Sequence, residues 1–242
     1  TEYVVDMTIT PVCNQIGEIT HYVAISQDIS ERIEAKKQLE YLATHDSLTR
    51  LPNRLLFSDR LSHALTIAKR TGQQGAVFFI DLDDFKSVND VFSHIVGDEL
   101  LILLAKRIRD CLRESDTVAR IGGDEFAILI EDTDQFNADL VAQKVIKSLS
   151  QPAKIKDDTI IITASIGISL FPQDGDTIPA LLKNADLAMY QAKENKKNTF
   201  EFFNHEMTSK IKAQMDLLTY LRFALKNGIF KLYYQPQVDG ET

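Results

Sequence analysis

Residues 76–80, AVFFI, leave a chain few choices. Five consecutive apolar residues read as a strand buried on both faces, and they run directly into Asp81, Asp83 and Asp84. A strand covered on both sides needs helices above and below, which points to an α/β protein. Carboxylates at its end are costly unless solvated, paired or bound to a cation. A second acid pair, Asp124 and Glu125, follows Gly122-Gly123 between two further apolar stretches. Gly-Gly permits positive φ at both turn residues, which suits a primed hairpin turn, and without Cβ atoms it lets a ligand approach the backbone. If this hairpin neighbours the 76–82 strand, four or five acids converge on one rim. Such an oxygen-only cluster suits Mg²⁺, which takes one or two carboxylates plus substrate phosphates, and two such ions can support in-line phosphoryl displacement. The same acids could equally cap strands and solubilise loops. Composition and spacing leave both readings open.

Around this centre, helices and strands alternate. Helices are expected near 54–70, 97–113, 136–150 and 178–195, with strands at 163–171 and 199–203. Together with the hairpin they predict an α/β sandwich: a mixed sheet flanked by helices. Ahead of it, residues 3–10 and 20–26 read as a hairpin turning at Asn14-Gln15-Ile16-Gly17. Asp28 with Glu31 gives a capping signal for a helix to about Ala43. The Ala35, Leu39 and Leu42 stripe of that helix could meet a second copy or pack internally. A long helix over 205–227 precedes Phe230–Gln235, which begin a strand with nothing left to pair with. Both ends therefore look cut, as in a fragment of a longer protein.

A net charge of −8 argues against a general nucleic-acid or anionic-membrane surface. Cys13 and Cys111 fit neither a metal nor a disulfide spacing, which suits a reducing cytoplasm. No apolar run approaches the ~18 residues that span a bilayer, and no signal peptide opens the chain.

The stretch RIGGDEF, residues 120–126, resembles the signature of the GGDEF family, the diguanylate cyclases. Five other motifs stand in order around it: DSLTRLPNR (46–54), FIDLDDFKSVND (79–90), SHIVGDELL (93–101), TASIGIS (163–169) and ADLAMYQAKENKKN (185–198). The resemblance covers residues 46–203 and implies a nucleotidyl-cyclase-like palm. It further implies that two GTP molecules condense to cyclic di-GMP, each 3′-hydroxyl attacking the other's α-phosphate. Asp81, Asp124 and the Leu82 carbonyl would then hold Mg²⁺ or Mn²⁺. Asp124 would act as general base with Glu125 beside it. Asn89 and Asp98 would read guanine, Asp98 accepting from the N1–H and N2–H edge that adenine lacks. His94, Gly122 and Gly123 would lie against substrate, and Lys86, Lys193 and Lys197 would meet phosphates. Arg113 and Asp116, five residues ahead of Gly122, occupy the place of the family's inhibitory R-x-x-D motif for bound product.

Taken singly, these residues have plainer readings. Asn89 could cap a helix, His94 could be a surface histidine, and Arg113 with Asp116 could be a surface ion pair. Lys193, Lys196 and Lys197 would stabilise a helix C-terminus without any ligand. Two positions depart from the family pattern: Ser93 stands for a glycine, and Lys197 for a frequent arginine, losing the planar fork.

The flanks carry resemblances too. Residues 1–28 are similar to the closing strands of a PAS domain, followed by a linker helix over 29–45. Residues 204–242 resemble a linker helix and the first strand of an EAL phosphodiesterase domain. The expected parent is a bacterial PAS–GGDEF–EAL signalling protein, active as a homodimer. The alternative is a module that binds GTP or cyclic di-GMP without turnover and controls the adjoining EAL domain.

Overall fold

The computed structural model describes residues 4–14, 16, 19–231, 233 and 234. Its first elements are β1 (Val5–Cys13), β2 (Ile19–Asp28), α1 (Ser30–Thr44), α2 (Arg54–Thr71), β3 (Gly75–Leu82), α3 (Phe85–Phe92) and α4 (His94–Cys111). Then follow β4 (Thr117–Gly122), β5 (Glu125–Glu131), α5 (Gln135–Leu149), β6 (Ala153–Ile155) and β7 (Asp158–Ile160). Last come β8 (Ala164–Phe171), α6 (Ile178–Asn195), β9 (Phe200–Phe202) and α7 (His205–Lys226).

The apolar run becomes β3, the middle strand of a five-stranded sheet ordered β4-β5-β3-β8-β9. Every β3 residue is buried except the half-buried Asp81. β8 and β9 run parallel and the other pairs antiparallel, so the sheet is mixed, as expected. Alternation along β3 divides the core in two. Phe78 and Ile80 face α4 and α5 with Leu100, Leu104 and Val145. Val77 and Phe79 face α2 and α6 with Phe57, Leu61, Leu181 and Met189. Asp81 continues the second row, so it emerges at the end of the face that α2 and α6 cover.

Local chemistry sets the helix ends. Asn53 caps α2, its side-chain oxygen accepting from the N–H groups of Leu55 and Leu56, and Gly72 closes the helix at φ 75°. At α1 the cap differs from the sequence reading. Asp28 Oδ1 accepts the Ser30 N–H at 2.9 Å, but Ile29 takes the cap position and makes no side-chain bond.

Three further expectations need correction. α4 begins at His94 rather than near 97, and α3 lies before it where no helix was expected. β6 and β7 form a short hairpin absent from the sequence reading. Phe230, Lys231, Tyr233 and Tyr234 are in no strand, and no strand among the described residues pairs with them; Leu232 and Gln235 lie outside the described residues. The expected hairpin of β1 and β2 is present, though Gln15 and Gly17 of its turn also lie outside them. Among the described residues no helix is long and apolar enough to cross a membrane.

Candidate active site

Two strand ends and a turn build the acidic rim. Asp81 and Glu125 stand directly opposite each other in the β3–β5 ladder, so their side chains share a face. The turn between β4 and β5 has Gly123 and Asp124 as its central residues, with Gly122 paired to Glu125. Only Gly123 takes positive φ, 52°, which is the pattern of a type II′ turn. The expectation of positive φ at both glycines is therefore corrected: Gly122 belongs to the strand. A Cβ at Gly122 or Gly123 would meet no atom within 4 Å, so the chain's own packing does not require glycine at 122. Arg120 holds the turn from beneath, donating from Nε and Nη2 to the Gly123 carbonyl at 2.9 and 2.7 Å.

From α6, Lys193 Nζ reaches Asp81 Oδ1 at 2.6 Å. Burial pushes the Asp81 carboxyl up. Lys193 pulls it down, and the nearby charges of Asp124 and Asp83 push it up again, for a net rise. Glu125 is raised as well, first by burial and then by Asp81, Asp186 and Asp124, with Arg54 opposing. These are carboxylates held together short of positive charge, the condition that a cation relieves. Among the described residues no three His, Cys, Asp or Glu side chains form a metal cage. Mg²⁺ bound through one or two carboxylates and its substrate's phosphates needs no cage, so the donor set fits that ion. Leu82 is 1% exposed with its side chain in the core, leaving its main chain as the only group it could offer.

The convergence of acids is narrower than expected. Asp83, 5% exposed, is consumed by the fold: its oxygens accept from Thr163 Oγ1 (2.6 Å), Ser165 Oγ (2.8 Å) and the Asn198 N–H (3.1 Å). Asp84 turns outward and pairs with Lys197, whose Nζ lies 2.9 Å from both carboxylate oxygens. Asp186 on α6, not singled out from sequence, joins the field around Glu125 instead.

A second group forms where α3 meets α4. Asn89 Oδ1 lies so close over Gly97 that a Cβ there would collide with it, which sets the Asn89 amide beside the residue preceding Asp98. Asn89 lies in the last turn of α3, its carbonyl accepting the N–H of the capping Ser93 at 3.1 Å. His94 and Lys86 are exposed on these helices. Among the described residues no hydrogen bond or ion pair ties either to the rim or to Asn89.

Arg113 and Asp116 form a tight turn after α4. The Arg113 N–H donates to Asp116 Oδ2 at 2.9 Å, and the Asp116 N–H to the Arg113 carbonyl at 3.1 Å. Among the ion pairs of the described residues, none joins their two side chains. They line a cavity of about 300 Å³ together with Asp132, Asn137 and Lys144. Lys144 donates to the Cys111 carbonyl at 2.8 Å. It lies more than 25 positions from Arg113, so local sequence gave no signal for it.

Residues 43–199 match the family described as "Diguanylate cyclase, GGDEF domain". The bifunctional diguanylate cyclase/cyclic di-GMP phosphodiesterase MucR of Pseudomonas aeruginosa is 48% identical over 204 residues, covering 84% of this chain and 30% of MucR. The cyclic di-GMP phosphodiesterase NbdA of the same organism is 38% identical over 211 residues, covering 86% of this chain and 27% of NbdA. The chain thus spans under a third of the length of these relatives. A structure comprising only the GGDEF domain of P. aeruginosa TpbB aligns with a TM-score of 0.68 at 44% identity, covering 69% of this chain and 99% of that one.

Proposed function

The chain belongs to the GGDEF family of diguanylate cyclase domains, and from that premise we propose that residues 46–203 condense two GTP molecules into cyclic di-GMP. The observation that carries this reading is the rim itself: Asp81 and Glu125 face to face, Asp124 at the adjoining turn, and Lys193 drawn onto Asp81. At Gly122 no atom lies within 4 Å of where a Cβ would stand, so the backbone there is open to a ligand's approach.

In each half-reaction the 3′-oxygen of one GTP forms a bond to the α-phosphorus of the other, and the bond to pyrophosphate breaks. Pyrophosphate leaves with the electron pair, and Asp124 takes the hydroxyl proton. Glu125 keeps the field at the turn negative. Lys193 meets the phosphates, and Lys86 and Lys197 extend the positive charge along their path. Asp81, Asp124 and the Leu82 carbonyl would hold Mg²⁺ or Mn²⁺, which when bound supplies charge against the oxygens of the reacting phosphate. Since each copy holds one GTP, two copies must face each other. His94 contacts the nucleotide, and product returns to the cavity at Arg113 and Asp116 to slow the enzyme.

Asn89 and Asp98 choose the base. Titration of GTP and ATP in Mg²⁺ tests them: GTP should bind at least about tenfold more tightly, because a base lacking the donors leaves Asp98 unpaired. Asp98→Ala should erase the difference, and equal binding of both nucleotides by the unaltered protein contradicts the assignment.

The flanks extend the reading. Residues 1–28 close a PAS domain, 29–45 form the linker helix, and 204–242 open an EAL domain. Every described residue of β2 is exposed, as fits a hairpin lacking the rest of its sheet, and MucR's name joins both activities. A second reading, nucleotide binding without turnover to control an attached phosphodiesterase, is favoured by NbdA, named for phosphodiesterase activity alone. Retention of both Asp81 and Asp124 favours the cyclase, since a silent module has no use for the pair.

A further inference from the structure

Gly123, the hinge of the turn that carries Asp124, is tied to the end of helix α1 by a short run of direct contacts. The Arg120 side chain, 12% exposed, spends two of its nitrogens on the Gly123 carbonyl. Its third nitrogen, Nη1, donates to Asp46 Oδ1 and Oδ2 at 3.1 and 3.3 Å. Asp46 is itself held: its Oδ1 also accepts from the Thr49 N–H at 2.8 Å and from Thr49 Oγ1 at 2.7 Å. Asp46 follows α1 by only two residues, and the loop it opens is laced back onto that helix. Asn53 donates from its backbone to the Thr44 carbonyl and from Nδ2 to the Ala43 carbonyl, both at 2.9 Å. The same loop grips β4, where the Arg120 N–H donates to the Pro52 carbonyl at 3.0 Å.

A trans peptide is planar, so its C=O and the following N–H point in opposite directions. Fixing the Gly123 carbonyl onto the guanidinium therefore fixes the Gly123–Asp124 peptide plane and aims the Asp124 N–H away from Arg120. Gly123 has positive φ and no atom within 4 Å of where a Cβ would stand, so apart from the closure of the turn by Gly122 and Glu125 these two bonds are what hold that plane among the described contacts. We propose that Arg120 is a positioning residue for the site, anchored by Asp46, and that through this pair the pose of α1 sets the orientation of Asp124. Lysine cannot replace it, because a point charge cannot direct parallel donors at one carbonyl while a third reaches a carboxylate. The consequence for turnover rests on the cyclase reading; the mechanical coupling does not.

The test compares hydrogen–deuterium exchange over residues 119–126 in the unaltered protein, Arg120→Lys, Asp46→Asn and the double variant, with GTP kinetics alongside. Asp46→Asn keeps the shape and the Thr49 bonds, so it serves if Arg120→Lys does not fold. Exchange in the turn should rise about fivefold in each folded variant, with little further rise in the double variant, since both act on one contact. In the kinetics, kcat should fall about tenfold while KM for GTP changes less than about threefold, as expected of a misaimed group rather than a lost binding contact. Unchanged turn exchange in folded variants, or effects that simply add, would overturn the coupling. If the unaltered protein makes no cyclic dinucleotide, the cyclase reading fails, and the exchange result still decides the coupling.

Discussion

Ser93 joins α3 to α4 with φ 111° and ψ 160°, a backbone conformation that costs a side-chain-bearing residue on the order of 1–3 kcal/mol and glycine very little. The position sits between Asn89 and His94, so the strain is stored beside the proposed guanine contact. Ser93→Gly should stabilise the protein by about 1 kcal/mol, after allowing for the greater freedom of glycine in the unfolded chain. Urea denaturation checks this, and a loss of stability contradicts it. Asp46 gives a prediction in pH. Burial pushes its carboxyl up, but the Thr49 hydrogen bonds and the Arg120 guanidinium together outweigh that and hold it below the ordinary range. The folded state then binds fewer protons than the unfolded chain. Its stabilisation is complete above the unfolded value, about pH 4, and is lost as pH falls through the lower folded one. Melting temperatures measured from neutral pH down to about pH 3 should fall less steeply for Asp46→Asn than for the unaltered protein.

Among elements, the packing of α6 on β8 matters most for the site. Gly167 faces that helix so closely that a Cβ would strike the Ala185 carbonyl and the Met189 backbone nitrogen, and neither can move without moving the helix. Gly167→Ala should cost about 3 kcal/mol in a melt. It should also weaken GTP binding, because α6 carries the Lys193 that reaches Asp81. Unchanged stability would show that α6 has slack the packing does not suggest. The elements also explain what the sequence made legible. α2 and α6 were readable because their apolar residues recur with the helical period, and β3 because its apolar run is unbroken. α3 was not: it has eight residues, begins after Asp84 in a left-handed conformation, and makes no side-chain cap. β6 and β7 have three residues each, too few for alternation to register. At the rim, the sequence brought Asp81, Asp124 and Glu125 into view because strand end and turn were each marked locally. It could not tell Asp83 from its neighbours, since Thr163, Ser165 and Asn198 lie at least 80 positions away. The Asp46–Arg120 contact spans 74 positions and was hidden for the same reason.

At the scale of the whole molecule, apolar side chains remain exposed on α1 and α7, among them Leu39, Leu217, Phe223 and Leu225. A cyclase whose copies each hold one GTP must bring two together, so its rate depends on protein concentration more steeply than linearly until dimers saturate. The most direct measurement is chromatography of the nucleotides formed when the unaltered protein and Asp124→Ala are incubated with GTP and Mg²⁺ over a range of protein concentrations. The account predicts cyclic di-GMP and pyrophosphate from the unaltered protein, rising more than proportionally with concentration, and at least about a hundredfold less from Asp124→Ala. Cyclic di-GMP formed at the same rate by Asp124→Ala would contradict it.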